Sequence, residues 1–507
     1  MAGQEHKEQP RLEKLSRLID RGLDPYPHKF HRSNTTREAI SLFLKLLEDD
    51  PAAILPDISL AGRITAARFM GKAAFFDIRD GSGKIQVFFR RDSLGEDKYA
   101  LLHELDLGDF LGASGHVFKT RSGEVTLEAS DYTILAKSLR PLPEKWHGLV
   151  DVEKRYRQRY LDLIANEEVR ELFIRRSGVI SAIRNFMNAR GFIEVETPVL
   201  QPMYGGALAR PFITHHHALG QDLYPRIALE LYLKRLLIGG FDRVYEIGRV
   251  FRNEGISTKH NPEFTMMESY EAYADYEDVM EMTENLVSSV AKEILGTTQI
   301  NFAGEVICLD PPWRRLPLRQ ALIDKCGVDF MEYPDSNSLR ARMKKMGLQA
   351  DPLKDKGRLI DELLSTYVEP DLRQPTFLID YPVEMSPLAK LHRKEPGLVE
   401  RFEAFICSME VANAFSELND PREQRERFNL QREMHAAEID RAKAAGELPE
   451  TAMIDEDFIT AMEHGMPPAG GLGVGIDRLI MLLTDRQSIR EVILFPQLKT
   501  KQGKDEE

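Results

Sequence analysis

From Arg249 to Tyr273 the chain reads RVFRNEGISTKHNPEFTMMESYEAY, and this stretch leaves few folds open. In VYEIGRVFRNE, Val244, Glu246 and Gly248 alternate with Tyr245, Ile247 and Arg249, the period-two pattern of a strand. A strand that continues in this way puts Arg252 and Glu254, two apart, on one face. FTMMESY repeats the alternation with Phe264, Met266, Glu268 and Tyr270, and Gly255 and Asn261-Pro262 supply turn chemistry between the runs. The segment therefore predicts an antiparallel hairpin with one charged face. Arg252 cannot lose its proton and suits a phosphate, and Phe264 offers a flat surface to a purine. The plainer alternative is a surface hairpin of ordinary ion pairs.

Phe251-Arg252-Asn253-Glu254 followed by His260-Asn261-Pro262-Glu263-Phe264 resembles motif 2 of the class II aminoacyl-tRNA synthetases. The words EGISTKHNPEFTMMESY resemble the lysyl-tRNA synthetases in particular. Upstream, Gly191 to Leu200 (GFIEVETPVL) is similar to motif 1, whose proline ends a strand at the family's dimer interface. Downstream, Gly471 to Arg478 (GLGVGIDR) is similar to motif 3, a strand turning into a helix. Three motifs in order, with a likeness running from about Leu60 to about Pro496, are far more specific than a lone glycine-rich signature.

Composition is compatible with this reading without deciding it. A chain of 507 residues is too long for one core and predicts at least two domains. A formal charge of −13 argues against nonspecific coating of nucleic acid, so RNA contacts must come from local basic patches. Cys308, Cys326 and Cys407 form no CxxC pair, which argues against a zinc ribbon or a disulfide framework and fits a reducing compartment. MAGQEHKEQPRLEKL lacks the apolar core of a signal peptide, and no run approaches the roughly 18 apolar residues of a membrane helix. A cytoplasmic protein without membrane contact is expected.

The prolines of Arg140-Pro141-Leu142-Pro143 mark a domain break. Before it, Ile58–Thr65, Ala73–Asp80, Lys84–Arg90, Asp109–Thr120 and Gly123–Leu135 read as short strands, with a helix at Glu96–Leu105. Five strands with one helix in that slot predict an OB barrel. The expected organisation is α+β: a helical, charged extension (1–50), an OB-fold domain (51–140), a linker (141–150), a catalytic antiparallel sheet flanked by helices (151–499) and a disordered tail (500–507). In KIQVFF, Ile85, Val87 and Phe89 fill the barrel while Gln86 and Phe88 face outward beside Arg63, Lys72 and Arg79, able to stack on and bond to unpaired bases. Spacing alone leaves open whether these residues merely solvate the exterior. The resemblance implies anticodon reading here, with Phe75, Gln86 and Glu124 at the matching positions.

No GxxxxGK[ST] is present, so ATP is not held by a Walker loop. The resemblance implies instead that Arg252 holds the α-phosphate, Glu254 and Asn261 fix the adenosine, His260 approaches the β- and γ-phosphates, Phe264 stacks on adenine, and Arg478 lies near the γ-phosphate. Arg252 and Arg478 are the implied catalytic pair. Glu403 and Glu410 match the family's Mg²⁺ ligands, although on an unbroken strand residues seven apart would point opposite ways, so a bend or bulge is required. In VANAFSEL, Asn413, Phe415 and Glu417 alternate on one face. With Glu230, Glu268 and Tyr270 they resemble the family's lysine pocket, where Glu417, Glu268 and Tyr270 would receive the side-chain ammonium, a group with three donors. Glu230 and Asn413 would orient the α-amino group or carboxylate.

Several residues depart from the family pattern. Ser408-Met409-Glu410 stands where many relatives have Gly-Arg-Glu, Ala412 and Ala414 where some have glycine, and Leu229 where many have proline. Other candidates carry less. Adjacent residues in Thr214-His215-His216-His217 face opposite ways on a strand, Lys154–Tyr160 reads as a solvated helix start, and Glu423–Arg441 as an exposed helix. The expected protein is a homodimeric ATP-dependent ligase charging tRNA(Lys) with L-lysine. The alternatives are an aspartyl- or asparaginyl-type relative, which needs cations in its side-chain pocket, and a non-catalytic relative or lysyl-transferring modifier.

Overall fold

A computed structural model describes residues 2–143, 149–352, 354–434, 436, 439–440, 448–449 and 454–500, so the expected tail beyond Thr500 lies outside the described residues. The chain divides into two compact units, one ending at Val150 and one spanning Asp151–Lys499.

The first unit is a closed barrel of β1 (Leu55–Met70), β2 (Ala73–Arg79), β3 (Lys84–Arg90), β4 (Phe110–Lys119) and β5 (Val125–Ala136), in the order β1-β2-β3-β5-β4. Alternation does what the sequence predicts: Phe76, Ile78, Ile85, Val87, Phe89 and Leu127 fill the interior. Between β3 and β4 the expected single helix is broken into Arg91–Leu94, Glu96–Leu101 and a tight turn at Leu102–Glu104. A helix at Thr36–Asp49, opened by a Thr35/Glu38 capping box, is fastened to the β2–β3 turn. Asp80 there accepts from the Thr36 amide (2.9 Å) and hydroxyl (2.8 Å), and these and the Ser82 donors hold its carboxyl down at about 2 against the opposing effect of burial.

In the second unit, β6 (Ile193–Glu194) is followed by a small sheet of β7 (Leu200–Gln201), β8 (Thr214–His216) and β9 (Gln221–Pro225). Then come β10 (Arg243–Phe251), β11 (Glu263–Ala272), the hairpin β12 (Gln299–Phe302) and β13 (Glu305–Cys308), β14 (Arg314–Pro317), β15 (Thr376–Pro382), β16 (Leu398–Ile406), β17 (Met409–Ser416) and β18 (Ala469–Gly475). Eight strands form one sheet, ordered β14-β15-β16-β17-β18-β11-β10-β6, antiparallel except for the parallel pairs at its two edges. Helices Glu167–Ala189, Tyr276–Leu295 and Ile476–Leu483 cover one face, where Val179, Ile183, Leu286, Val290, Val411, Val474 and Leu479 form the core. The other face is left for the site.

Three expectations need correcting. β10 stops at Phe251, so Arg252 and Glu254 do not continue the strand. The Asn253 amide bonds to the Arg210 carbonyl (2.8 Å), turning the chain away from the sheet. Arg159 is not solvated: 1% exposed, it donates to Asp162 and to the Leu494 and Arg490 carbonyls. Nor is the helix Pro421–Met434 merely exposed, because Gln424 and Arg427 are buried and bond to the Pro387 and Ala389 carbonyls.

Candidate active site

A cavity of about 460 Å³ opens on the uncovered face of the large sheet, walled by β11, β17, β18, the loop after β10 and the start of the helix Glu230–Ile238. At one end the Arg252 guanidinium lies 5.3 Å from the Phe264 ring centre, its Nε donating to the Ile227 carbonyl (3.3 Å). Glu254 is exposed on the loop beyond. Asn261 is buried and already engaged: its amide donates to the Glu263 carbonyl (2.6 Å) and its oxygen accepts from the Gln497 amide (3.3 Å). It therefore pins the loop. Arg478, on the first turn after β18, donates to the Glu410 carbonyl (2.8 Å) and carboxylate (3.1 Å) and sits 3.2 Å from His260 Nε2. An arginine only donates, so His260 is a neutral imidazole with its Nδ1 hydrogen directed to Ser257 Oγ at 2.8 Å. Burial and the Arg478 charge hold its pKa below the ordinary histidine value.

Glu403 and Glu410 lie on adjacent strands rather than one. β16 and β17 form a hairpin whose turn residues, Cys407 and Ser408, both have positive φ (52° and 59°), the conformation a two-residue hairpin requires but one that costs a non-glycine residue roughly 1–2 kcal/mol. The pairing slips between Ala404 and Phe405, so that Glu410 opposes Phe405 while Ala412 opposes Ala404. Val411 and Ala412 then both enter the core, and Glu410 and Asn413 both line the cavity. This bulge is the bend that the spacing demanded. Burial, with Glu410 and Asp361 nearby, pushes the Glu403 carboxyl up to about 7 against the opposing Arg401 guanidinium, which donates to it at 2.5 Å.

The opposite end is acidic. Glu230, the first residue of its helix, is buried and ion-paired to Lys234. Glu268 accepts from the Leu229 amide and from the Tyr270 hydroxyl, each at 3.0 Å, and burial together with Glu230 raises its carboxyl to about 7. Asn413 accepts from Arg401 (3.0 Å), and Phe415 lines the wall. Glu417, 1% exposed, lies just behind the lining: a Cβ on Gly471 would overlap its Oε1 and crowd Tyr270, so only glycine fits between Glu417 and the cavity.

The sequence matches the family model of tRNA synthetases class II (D, K and N) over residues 151–499 and that of the OB-fold nucleic acid binding domain over 58–135. The chain belongs to the class II tRNA synthetases. Among its curated class II relatives, the lysine–tRNA ligase of Dehalococcoides mccartyi is 58% identical, covering 99% of both chains. Those of Carboxydothermus hydrogenoformans and Moorella thermoacetica are 55% and 52% identical, covering 96% and 97% of this chain and 97% of each relative.

In this synthetase the barrel unit gathers Phe75, Gln86 and Glu124 on its outer surface. Phe75 stacks on Phe88 across the strands (4.7 Å), and Phe118 extends the row at 6.4 Å. Gln86 faces outward but is 5% exposed, because it bonds to Thr126 (3.1 Å) and Glu124 (3.2 Å). Arg63 is committed elsewhere, to the Gly108 carbonyl (3.0 Å) and over the Phe110 ring. Among the described residues no group of three or more histidines, cysteines or carboxylates is placed to hold a metal, the His215–His217 run included. Sequence reasoning missed Lys234, Arg401 and Lys259, the last of which donates to the Ser408 carbonyl at 2.9 Å. Lys234 had a signal, standing one helical turn after Glu230.

Proposed function

We propose that this chain is a lysine–tRNA ligase that condenses L-lysine and ATP into lysyl-adenylate and pyrophosphate, then transfers the lysyl group to the 3′-terminal ribose of tRNA(Lys). One observation carries the reading: the buried carboxylates Glu230 and Glu268 line the cavity with buried Glu417 just behind its Gly471 wall, while Arg252 and Arg478 line another part of it. A cationic side chain suits the first end and a polyphosphate the second. The names of the relatives agree with it. An aspartate- or asparagine-activating enzyme would need a cationic side-chain pocket instead.

Arg252 binds the α-phosphate beside an adenine stacked on Phe264, Glu254 contacts the base, and Asn261 holds the loop that presents them. Arg478 and neutral His260 face the outer phosphates. The lysine carboxylate is the nucleophile and pyrophosphate the leaving group, so no side chain forms a covalent intermediate. Rate comes from alignment and from charge placed where the phosphorus centre becomes more negative. Glu230 and Asn413 orient the α-amino group and carboxylate. Glu268 holds Tyr270 toward the side-chain end, where Glu417 accepts the ammonium.

Glu403 and Glu410 fit Mg²⁺: they are hard oxygen donors, two in number, beside excess buried negative charge, with phosphate oxygens and water to complete the shell. Bound there, the ion would neutralise charge on the polyphosphate. Phe75, Gln86 and Glu124 read the anticodon by stacking and hydrogen bonding. The protein acts as a homodimer, a reading supported by exposed apolar side chains around the motif-1 segment, Ile193, Val199 and Leu200 among them. A cytoplasmic location agrees with three free thiols, and no described helix is long and apolar enough to cross a membrane.

ATP–pyrophosphate exchange with each proteinogenic amino acid in turn tests the proposal. Exchange with lysine alone is expected. Exchange with aspartate or asparagine would move the chain to a sister specificity, and no exchange with any amino acid would leave a non-catalytic relative.

A further inference from the structure

The helix Glu230–Ile238 carries a second charged residue, Lys234, into the acidic end. The Lys234 side chain is 0% exposed. Its Nζ lies 2.5 Å from Glu230 Oε1 and is ion-paired with Glu417 Oε2, with the Phe415 and Tyr270 ring centres 5.3 and 6.0 Å away. A long cation in a dry site is unfavourable unless matched charges hold it, and here two carboxylates on separate segments do so. Neither Glu417 oxygen has a hydrogen-bond donor of ordinary geometry among the described residues, but Oε2 is ion-paired with Lys234, whereas Oε1 stands outside that pair and lies over Gly471 of the cavity wall.

We propose that Lys234 is a positioning residue for amino-acid selection: by holding Glu230 and one oxygen of Glu417, it fixes the other Glu417 oxygen toward Gly471 as the acceptor for one primary ammonium. This inference rests on the pocket being a lysine site. The charges around it are consistent. Glu230 and Glu417 share the one resident ammonium, Glu268 beside them accepts from the Leu229 amide and the Tyr270 hydroxyl, and Arg401 and Arg252 act on Glu230 and Glu268 through space. The cluster therefore has room for a further positive charge, which the substrate side chain brings. Burial pushes the Glu417 carboxyl up and Lys234 opposes that shift. Without Lys234 that opposition is lost, so the carboxyl retains its proton to higher pH and accepts the ammonium less strongly.

The experiment is ATP–pyrophosphate exchange by the full chain and by Lys234→Met across about pH 6 to 9, titrating lysine and ATP separately. Lysine-dependent exchange by the unaltered enzyme must come first, and its failure would sink the lysine pocket itself rather than the role of Lys234. In Lys234→Met the KM for lysine should rise by more than about tenfold near pH 7, while that for ATP stays within about twofold. The pH below which the lysine KM climbs should move up by about one unit or more. An unchanged lysine KM with an unshifted profile overturns the proposal, as does a fall in kcat with both KM values unchanged. Should the methionine variant fail to melt cooperatively, Lys234→Gln keeps a donor for both carboxylates without the charge. The same upward pH shift is expected of it, and an unshifted profile overturns the proposal.

Discussion

The barrel's outer surface and the open face of the large sheet are both made from strands that turn one side inward and the other out, yet they treat charge in opposite ways. On the barrel the outward row is aromatic: Phe75, Phe88 and Phe118 form a partly exposed stack flanked by Glu124 and the Gln86 amide. On the large sheet the outward row is ionic and withdrawn from water: Glu268 and Glu403 are driven up to about 7, and burial pushes Glu417 up against the opposing charge of Lys234. A base has a π-face and tolerates a wet, adaptable surface. An ammonium and a polyphosphate are recognised by charges whose hydration is replaced in advance by fixed partners, and low dielectric makes each such partner count for more.

If this contrast is right, substitutions on the sheet face should act on chemistry and those on the barrel only on tRNA. The largest effect is expected for Arg252→Ala, with pyrophosphate exchange falling by about 10³-fold while the melting transition is kept; retained activity would remove Arg252 from the phosphate site. Glu417→Gln comes next. Its lysine KM should rise by roughly 10²-fold with little change for ATP, since a charge-assisted bond is weakened; an equal loss for both substrates would point to general damage at the sheet. Phe75→Ala should leave exchange untouched and raise the tRNA KM in aminoacylation by about tenfold, the stacking loss of one base. A fall in exchange would break the separation of the two surfaces.

The smallest effect concerns pH and stability. Glu268 has a folded-state pKa of about 7, above its unfolded value, so between those two values the folded chain binds more protons than the unfolded one. Its contribution is therefore present at low pH and is lost as pH rises toward and through about 7. Thermal melts without substrates should show Tm declining over that window, and Glu268→Gln should flatten the slope. A wild-type slope in the variant would assign it to other carboxylates.

Much of this architecture could be read from the chain. Alternation in KIQVFF and FTMMESY gave the strands and their inward faces, and motifs 2 and 3 named residues that line one cavity, because both depend on residues close in sequence. What stayed hidden involved partners far apart. The burial of Gln86 depends on Thr126 and Glu124 from another strand, and the end of β10 at Phe251 depends on the Arg210 carbonyl. The relative placement of Glu403 and Glu410 depended on a one-residue slip at the β16–β17 turn that no periodicity announces. The neutral state of His260 follows from Arg478, more than two hundred residues away.

The sequence by itself determined the barrel's strand pattern, the β10–β11 hairpin whose connecting loop holds Arg252, and which charged residues the chain can bring to a site. Tertiary structure alone decided which carboxylates share a cation and which oxygen of Glu417 stands outside that ion pair. The reason is physical. A strand's alternation is a property of its own backbone, whereas a buried charge is set by solvent exclusion and by partners that only the packed sheet and helix bring within reach.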